Sequence, residues 1–387
     1  MMTAQIYVNA RFFDGDHLHE QTAIRVAEGC LSDMGPIALQ KDGQRIDING
    51  DIIAPGYVDL QVNGGGGVMV NDTPTPEGLG QIAAAHSRLG TAALLPTLIT
   101  ASYDTTAAAI WAAKTALANG VPGVAGLHLE GPHLDPQRKG AHDAALIRPM
   151  TAADLDLLID AAQTLPAFML TIAPESCTTD QVAQLVQAGA VVSLGHSACN
   201  YDTALRYVQA GARCVTHLFN AMSPLTSREP GLVGTALDRP ELSAGVIADG
   251  IHVHPVTLRR AWAAKQGPGQ LFLVTDAMAV AGTDLDHFHL DGRRINRDRS
   301  ASSQAPSRLT LADGTLAGAD LDLTQALRLL HHEVGVTLPA ALAAATSVPA
   351  DLMGLSHVGR LHLGQPLRHP AAMIRIASDL SCVTPLV

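Results

Sequence analysis

Aromatic residues are scarce: six Phe, five Tyr and two Trp supply 3% of the 387 residues. The core must therefore be built from Ala, Val, Leu and Ile, which suits helices packed on short aliphatic strands better than an aromatic-rich sandwich. Positive charge is also short, with 25 Lys and Arg against 36 Asp and Glu and a net charge of −11. That balance argues against nucleic acid or an anionic membrane as a main partner, while a local basic pocket can still take a small anionic substrate. Cysteine is sparse and odd in number. Cys30, Cys177, Cys199, Cys214 and Cys382 form no Cys-x-x-Cys and read as reduced thiols. No window reaches the ~18 apolar residues that a bilayer span needs. The start, Met-Met-Thr-Ala-Gln-Ile-Tyr-Val, has no basic segment followed by an apolar one. The expectation is a cytoplasmic protein without a membrane partner. Internal repeats and low-complexity linkers are lacking as well.

What the chain does have is 47% apolar residues in a regular alternation. Residues 1–53 read as short strands separated by Asp-Gly, Glu-Gly and Asn-Gly turns, a small β layer. After Ala54-Pro55-Gly56, eight buried-strand runs follow at 57–62, 92–95, 124–129, 168–172, 190–194, 213–216, 244–248 and 271–275. Ala-rich helical stretches separate most of them, at 77–89, 105–118, 152–163, 179–188, 201–208 and 255–265. Eight βα units predict an α/β fold, a TIM (β/α)8 barrel over 54–355, with a doubly wound open sheet as the alternative. Residues 1–53 and 356–387 together are expected to form a small β-sandwich domain built from both termini. Residues 283–315 read as polar and turn-rich, with Ser302 and Ser303 in a solvated loop, and helices are expected over 321–335 and 338–346.

Chemistry gathers where the strands end. The residues just past them are Gln61 and Asn63, Thr97, Glu130, Glu175, His196, His217, Asp249 and Asp276. A parallel barrel carries its catalytic groups at that rim. One buried histidine is more often a satisfied core residue than a ligand. His196 and His217, however, close two consecutive strands across one helix. A catalytic zinc takes three protein ligands from His and carboxylate and keeps a fourth position open, a count that Glu130, His196 and His217 meet. Asp276 is then free to accept a proton and return it, although an isolated strand-end Asp commonly caps a turn. The loop after Glu130 adds Arg138, Lys139 and His142 above the same point. His128 alternates with Glu130 and ranks second to it as a ligand. Other histidines, such as His86, His287, His331 and His332, read as surface or structural.

Six motifs then occur in register. They are Pro55-Gly-Tyr-Val-Asp-Leu-Gln-Val-Asn-Gly-Gly-Gly-Gly67, His128-Leu-Glu-Gly-Pro132, Gly195-His-Ser197, Thr216-His-Leu-Phe-Asn-Ala-Met222, Ala248-Asp-Gly-Ile-His252 and Val274-Thr-Asp-Ala277. On them the chain resembles the N-acetylglucosamine-6-phosphate deacetylases of the amidohydrolase superfamily over about residues 50–355. The resemblance implies a hydrolase acting on a linear amide C–N bond, releasing acetate from a small phosphorylated amino sugar, and a homodimeric assembly. It implies Glu130, His196 and His217 as metal ligands, and Asp276 and His142 as catalytic groups. Gln61, Asn63, Ala141, His142, Asn220, Ala221, Ile251, Leu316, Ala317 and Gly318 fall at substrate-binding positions. Arg228 and His252 match phosphate contacts made across the dimer interface. Most amidohydrolases carry His-x-His after the first strand; Gln61-Val62-Asn63 stands there instead, and neutral amides are poor ligands for a second cation. One divalent metal per subunit is expected, Zn2+ first, with Fe2+, Co2+ or Mn2+ as alternatives.

Three stretches depart from the family pattern: Ala319-Asp320, where a Ser usually follows Ala-Gly, the Arg- and Ser-rich insertion at 297–306, and the tail Gly364-Gln-Pro-Leu-Arg-His-Pro370. Three rival functions are a deacetylase of the galactosamine epimer, another amidohydrolase class, and a non-catalytic barrel. The second usually needs a His-x-His and a bridging lysine, and the third sits poorly with four intact site residues.

Overall fold

Closure of the eight-stranded sheet decides the architecture. The computed structural model describes residues 4–299 and 307–386, so Ser302 and Ser303 lie outside the described residues. Eight parallel strands lie side by side in chain order: Tyr57–Val62, Thr91–Ile99, Leu127–Glu130, Phe168–Ile172, Val191–Leu194, Cys214–Val215, Ser243–Val246 and Leu271–Leu273. The first and last meet through a bridge between Val62 and Ala277 and a bond from the Asp276 N–H to the Gln61 carbonyl (3.0 Å). Beneath that seam the fully buried Asp59 accepts from the Thr275 hydroxyl at 2.6 Å. Burial pushes the Asp59 carboxyl up to about 7. This is a barrel, and the open-sheet alternative is excluded.

Every strand is covered by helices outside and side chains inside, which is why the runs are continuous rather than alternating. The connecting helices begin at side-chain caps. Thr151 with Asp154 and Thr178 with Gln181 form reciprocal capping boxes, and Ser102 and Asn200 cap their own helices. The helix Gly231–Asp238 after the sixth strand was not expected; its two glycines weaken the helical pattern, but six of its eight residues are buried.

Inside the barrel the layer under the rim is polar. His128 Nε2 meets the Thr171 hydroxyl at 2.8 Å, Thr171 meets Thr216 at 2.7 Å, and Ser193 meets Thr216 at 2.6 Å. His128 Nδ1 lies 3.0 Å from the Leu60 carbonyl. With both ring nitrogens engaged, His128 is a satisfied core histidine and not a ligand.

Beside a two-stranded ribbon of Gly64–Gly65 with Val68–Met69, two larger sheets flank the barrel among the described residues. The termini do combine, and the layer expected as a β-sandwich is hydrogen-bonded throughout as one seven-stranded sheet containing Gln5–Phe13, Ile52–Pro55 and Met373–Ile376. Its core holds Tyr7, Phe12, Ile24, Leu31, Ile53 and Met373. The second sheet falls in the stretch read as polar and turn-rich. His287–Leu290, Arg293–Asp298 and Arg308–Thr310 form an antiparallel sheet. Asp291 and Gly292 make the two-residue turn, with φ of 50° and 73°, the left-handed pair that a tight hairpin needs. Phe288, Leu290, Ile295 and Leu309 pack against Met69, Ile99, Met278 and Val280 of the barrel rim.

Candidate metal centre and pocket

Three site residues leave their strands in the left-handed backbone region: His196 (φ 47°), His217 (φ 30°) and Asp276 (φ 51°). For a non-glycine residue this costs about 1 kcal/mol or more. At each position the turn is held by neighbours that offset the cost. The Glu175 carboxylate accepts from the Ser197 hydroxyl (2.8 Å) and the Ala198 N–H (3.0 Å), locking the turn that presents His196. The Asp135 N–H donates to the His196 carbonyl at 2.9 Å. Glu175, a strand-end carboxylate, thus serves the turn and not the pocket.

Glu130 Oε1 lies 2.9 Å from His217 Nε2 and 3.1 Å from His196 Nε2, and the two imidazole nitrogens are 3.1 Å apart. A tetrahedral ion with bonds of about 2.0–2.1 Å has ligand–ligand edges of about 3.3 Å. A triangle with sides of 2.9, 3.1 and 3.1 Å therefore fits one face of such a site. His142 is a competitor: with Glu130 and His196 it also forms a trio whose ligand atoms lie within 4.8 Å of one another.

Hydrogen bonding separates the two histidines. His196 Nδ1 faces the Arg138 carbonyl at 2.8 Å, which can only accept, so Nδ1 carries the proton and Nε2 offers its lone pair. His142 is reversed. Its Nδ1 accepts from the Thr100 N–H at 3.3 Å, with the Thr100 hydroxyl at 2.8 Å. Burial, then the His196 imidazole beside it, lowers His142 to about 3, so the ring is neutral. A neutral ring whose Nδ1 accepts must carry its proton on Nε2, the atom facing Glu130 Oε2 at 3.8 Å. That makes His142 a hydrogen-bond donor into the pocket and a poor ligand. Glu130, His196 and His217 remain as the better donor set.

The amides of the first strand brace the carboxylates. Gln61 Nε2 donates to Glu130 Oε1 (3.1 Å) and to Asp276 Oδ1 (3.2 Å), and Asn63 Nδ2 donates to Asp276 Oδ1 (2.6 Å). Amide hydrogens occupy the place between two carboxylates that a second cation would need. Burial raises Glu130, but its bonds to His196 and His217 outweigh that and hold it well below the usual carboxylate range. Burial would likewise lower His217, and the Glu130 carboxylate raises it instead. Asp276 moves the other way: burial, then the Glu130 charge, pushes it up to about 6.

Above this cluster lies a cavity of about 250 Å³. Asn63, Ala141, His142, Asn220, Ala221, His252, Leu316 and Gly318 line it, together with Glu130, His196, His217 and Asp276. Ile99, Gly140, Ile247, Met278 and Thr315 line it as well, and no pattern in the sequence singled them out. Met278, two residues past Asp276, was the most accessible to strand-end reasoning. Four expected residues lie elsewhere. Gln61 is behind the cluster, and the Ile251 N–H donates to Asp249 at 2.8 Å. Ala317 is fully buried, with its N–H on the Leu309 carbonyl. Arg228 is exposed on the loop between Ser223 and Pro230, outside the pocket lining of its own chain. His252 lines the pocket of its own chain, its Nδ1 held 2.6 Å from Asp249.

The amidohydrolase family model matches residues 52–366. An N-acetylgalactosamine-6-phosphate deacetylase from Shewanella sp. (strain ANA-3) is 38% identical over 361 residues, 92% of this chain and 89% of the relative. The crystal structure of N-acetylglucosamine-6-phosphate deacetylase from Pasteurella multocida superposes with a TM-score of 0.89 at 30% identity, covering 99% of this chain and 98% of that one. A variant of N-acetyl-D-glucosamine-6-phosphate deacetylase from Mycobacterium smegmatis, in complex with N-acetyl-D-glucosamine-6-phosphate, gives 0.86 at 28% identity over 98% and 97% of the two chains.

Proposed function

The chain belongs to the amidohydrolase family, and from that premise we propose that it hydrolyses the acetamide of N-acetyl-D-glucosamine 6-phosphate to acetate and D-glucosamine 6-phosphate. The observation that carries this reading is the convergence of Glu130, His196 and His217 within 3.1 Å, beside Asp276, at the floor of a pocket. Glu130, His196 and His217 would hold one divalent cation, with zinc the first choice for a site of two imidazoles and a carboxylate. Such a cation supplies Lewis acidity, acidifying water and polarising a carbonyl.

The chain's own residues do the rest. Asp276 accepts the proton of the attacking water as the new C–O bond forms, then delivers it to the amine nitrogen as the C–N bond breaks. His142 donates its Nε2–H to the carbonyl oxygen as negative charge builds there. Gln61 and Asn63 hold Asp276 in place through its Oδ1. Residues 54–355 form the catalytic unit in this reading, and 1–53 with 356–387 the supporting layer. The protein acts in the cytoplasm as a homodimer.

The relative at 38% identity favours a second reading, the same reaction on the C4 epimer, N-acetylgalactosamine 6-phosphate. Acetate release measured in parallel on the two phosphorylated sugars tests both. Release from neither overturns the proposal.

The raised pKa of Asp276 has a kinetic consequence. A general base works ionised, so activity must fall as pH drops through its pKa. Burial and Glu130 set that point at about 6, while the charge of a bound cation draws it back toward the ordinary 3.8. We expect kcat/KM to fall tenfold per pH unit within the window from about 4 to about 6. A profile that stays flat through this window, or rises as pH falls, removes Asp276 from the role.

Arg228 tests the phosphate and the assembly together. Arg228→Ala is expected to raise KM for the phosphorylated sugar about ten- to a hundredfold, the worth of a charge-assisted contact. Slow turnover of unphosphorylated N-acetylglucosamine should stay unchanged. Mixing this variant with an Asp276→Asn variant should restore one native site per hybrid dimer. Equal losses on both sugars exclude the phosphate role, and no rescue places Arg228 in its own subunit's site.

A further inference from the structure

The small antiparallel sheet after the eighth barrel strand makes two contacts that the reaction does not use. Along Arg293–Asp298 the burial alternates, so Arg293, Ile295 and Arg297 share the face turned toward the barrel. Ile295 is fully buried between the two arginines. Arg293 Nη2 donates to the Ala141 carbonyl at 2.7 Å. Arg297 forks onto Asp320, with Nε to Oδ2 at 2.7 Å and Nη2 to Oδ1 at 2.9 Å. Its third nitrogen, Nη1, donates to the Thr283 carbonyl at 2.8 Å. The paired side chains are only 13% and 10% exposed.

Arg293 thus holds one segment that lines the pocket, and Arg297 holds the residue that follows a second. Gly140, Ala141 and His142 form the first wall; Thr315, Leu316 and Gly318 form the second. Asp320 comes two residues after the last lining residue, Gly318, and its neighbour Ala319 donates its N–H to the Asp276 carbonyl at 2.9 Å. Gly318 is at φ +63°, and a Cβ there would meet the Asp276 carbonyl at 2.9 Å, so this segment runs close against the strand end that carries the base. Both members of the pair lie where the sequence departs from the family pattern, Asp320 after Ala319 and Arg297 at the start of the insertion.

We propose that Arg297 and Asp320 form a clasp that positions the 315–320 segment over the sugar, making the inserted sheet a specificity-determining bracket across the mouth of the pocket. Both are positioning residues, since neither touches the reacting atoms. The proposal rests on the reading of this pocket as the sugar site. A bidentate fork suits the task because it fixes orientation as well as distance, which a lysine cannot do. With the clasp open, the wall can drift while the metal cluster and Asp276 stay braced by Gln61 and Asn63. Sugar positioning is lost and the chemistry is kept.

The test uses Arg297→Ala, Arg297→Lys, Asp320→Ala and the charge-swapped pair Arg297→Asp with Asp320→Arg. Arg297→Ala and Asp320→Ala should each raise KM for the preferred phosphorylated sugar about tenfold, the lower range for a charge-assisted bond. They should also narrow the kcat/KM ratio between the C4 epimers, with kcat and metal content at the wild-type level. Combining the two should add little to either alone, because they break one contact. Arg297→Lys, which keeps the charge and most of the packing, should show an intermediate loss if the alanine variant does not fold, and the swapped pair should recover part of the affinity. Amide exchange at Ala317 and Ala319 should speed up in Arg297→Ala, while exchange in the barrel strands does not change. Unchanged KM, epimer ratio and exchange beside a lowered melting temperature would make the pair structural only and overturn the proposal. Wild-type enzyme inactive on both sugars would instead sink the assigned function, with the exchange measurement still deciding the clasp.

Discussion

Asp276→Asn is expected to keep a full equivalent of metal and near-normal substrate affinity while losing about 10³-fold or more in turnover, since one proton transfer is worth about 10²–10⁴ and this group performs two. The geometry makes the substitution clean. Asp276 Oδ1 receives the amide hydrogens of Asn63 (2.6 Å) and Gln61 (3.2 Å), and an amide oxygen can receive both in the same position. The other oxygen becomes an NH2, which has no lone pair for the water proton. Removing the negative charge also removes the like-charge pair with Glu130, so the fold should be no less stable. The two transfers are steps of one path, so their losses do not simply add. Acetate release and elemental analysis on the same preparation decide the matter. Turnover within tenfold of wild type would show that the proton goes elsewhere.

Why those four residues were legible and others were not is a matter of range. Glu130, His196, His217 and Asp276 each end a short apolar run, and in a parallel barrel the end of a strand fixes the location of its side chain. Local sequence carries that information. The period of two along a strand puts His128 and Glu130 on one face; choosing Glu130 needed only the Gly131-Pro132 exit that sets it at the rim, and the Thr171 and Leu60 contacts of His128 agree. The proton on His142 depends on Thr100, 42 residues away, and the brace of Gln61 on Asp276 spans 215 residues. No spacing rule reaches so far. The hairpin at Asp291-Gly292 was within reach: a turn pair flanked by Phe288, Leu290 and Ile295 is a hairpin signature, hidden by the charged residues on its outer face. Arg228 shows a different limit. Its exposed place in a single chain follows from its loop, and what it touches in an assembly is a property of two chains.

The remaining large effect separates the two donor sets that the cluster offers. Glu130→Ala, His196→Ala and His217→Ala should each lower metal affinity by more than about 10²-fold, because even outer partners of a ligand cost 10–100-fold. Activity should fall with metal content. His142→Ala should retain its metal and lose only part of its turnover, the share supplied by one donor to the developing oxyanion, about 10²–10³-fold. The argument is the proton on each ring. His196 presents a lone pair at Nε2 because the Arg138 carbonyl claims its Nδ1–H, whereas His142 presents Nε2–H because the Thr100 N–H claims its Nδ1 lone pair. His217 Nε2 stands 2.9 Å from Glu130 Oε1, close enough to share an ion with it, and His142 Nε2 stands 3.8 Å from the other oxygen. The trio of Glu130, His142 and His196 predicts the reverse pattern, metal lost with His142 and kept without His217. Metal content after dialysis against a chelator, read beside the melting temperature with and without added zinc, distinguishes the two. A His217→Ala protein that holds a full equivalent through dialysis would transfer the third ligand to His142, and with it the oxyanion donor would have to be sought elsewhere in the pocket.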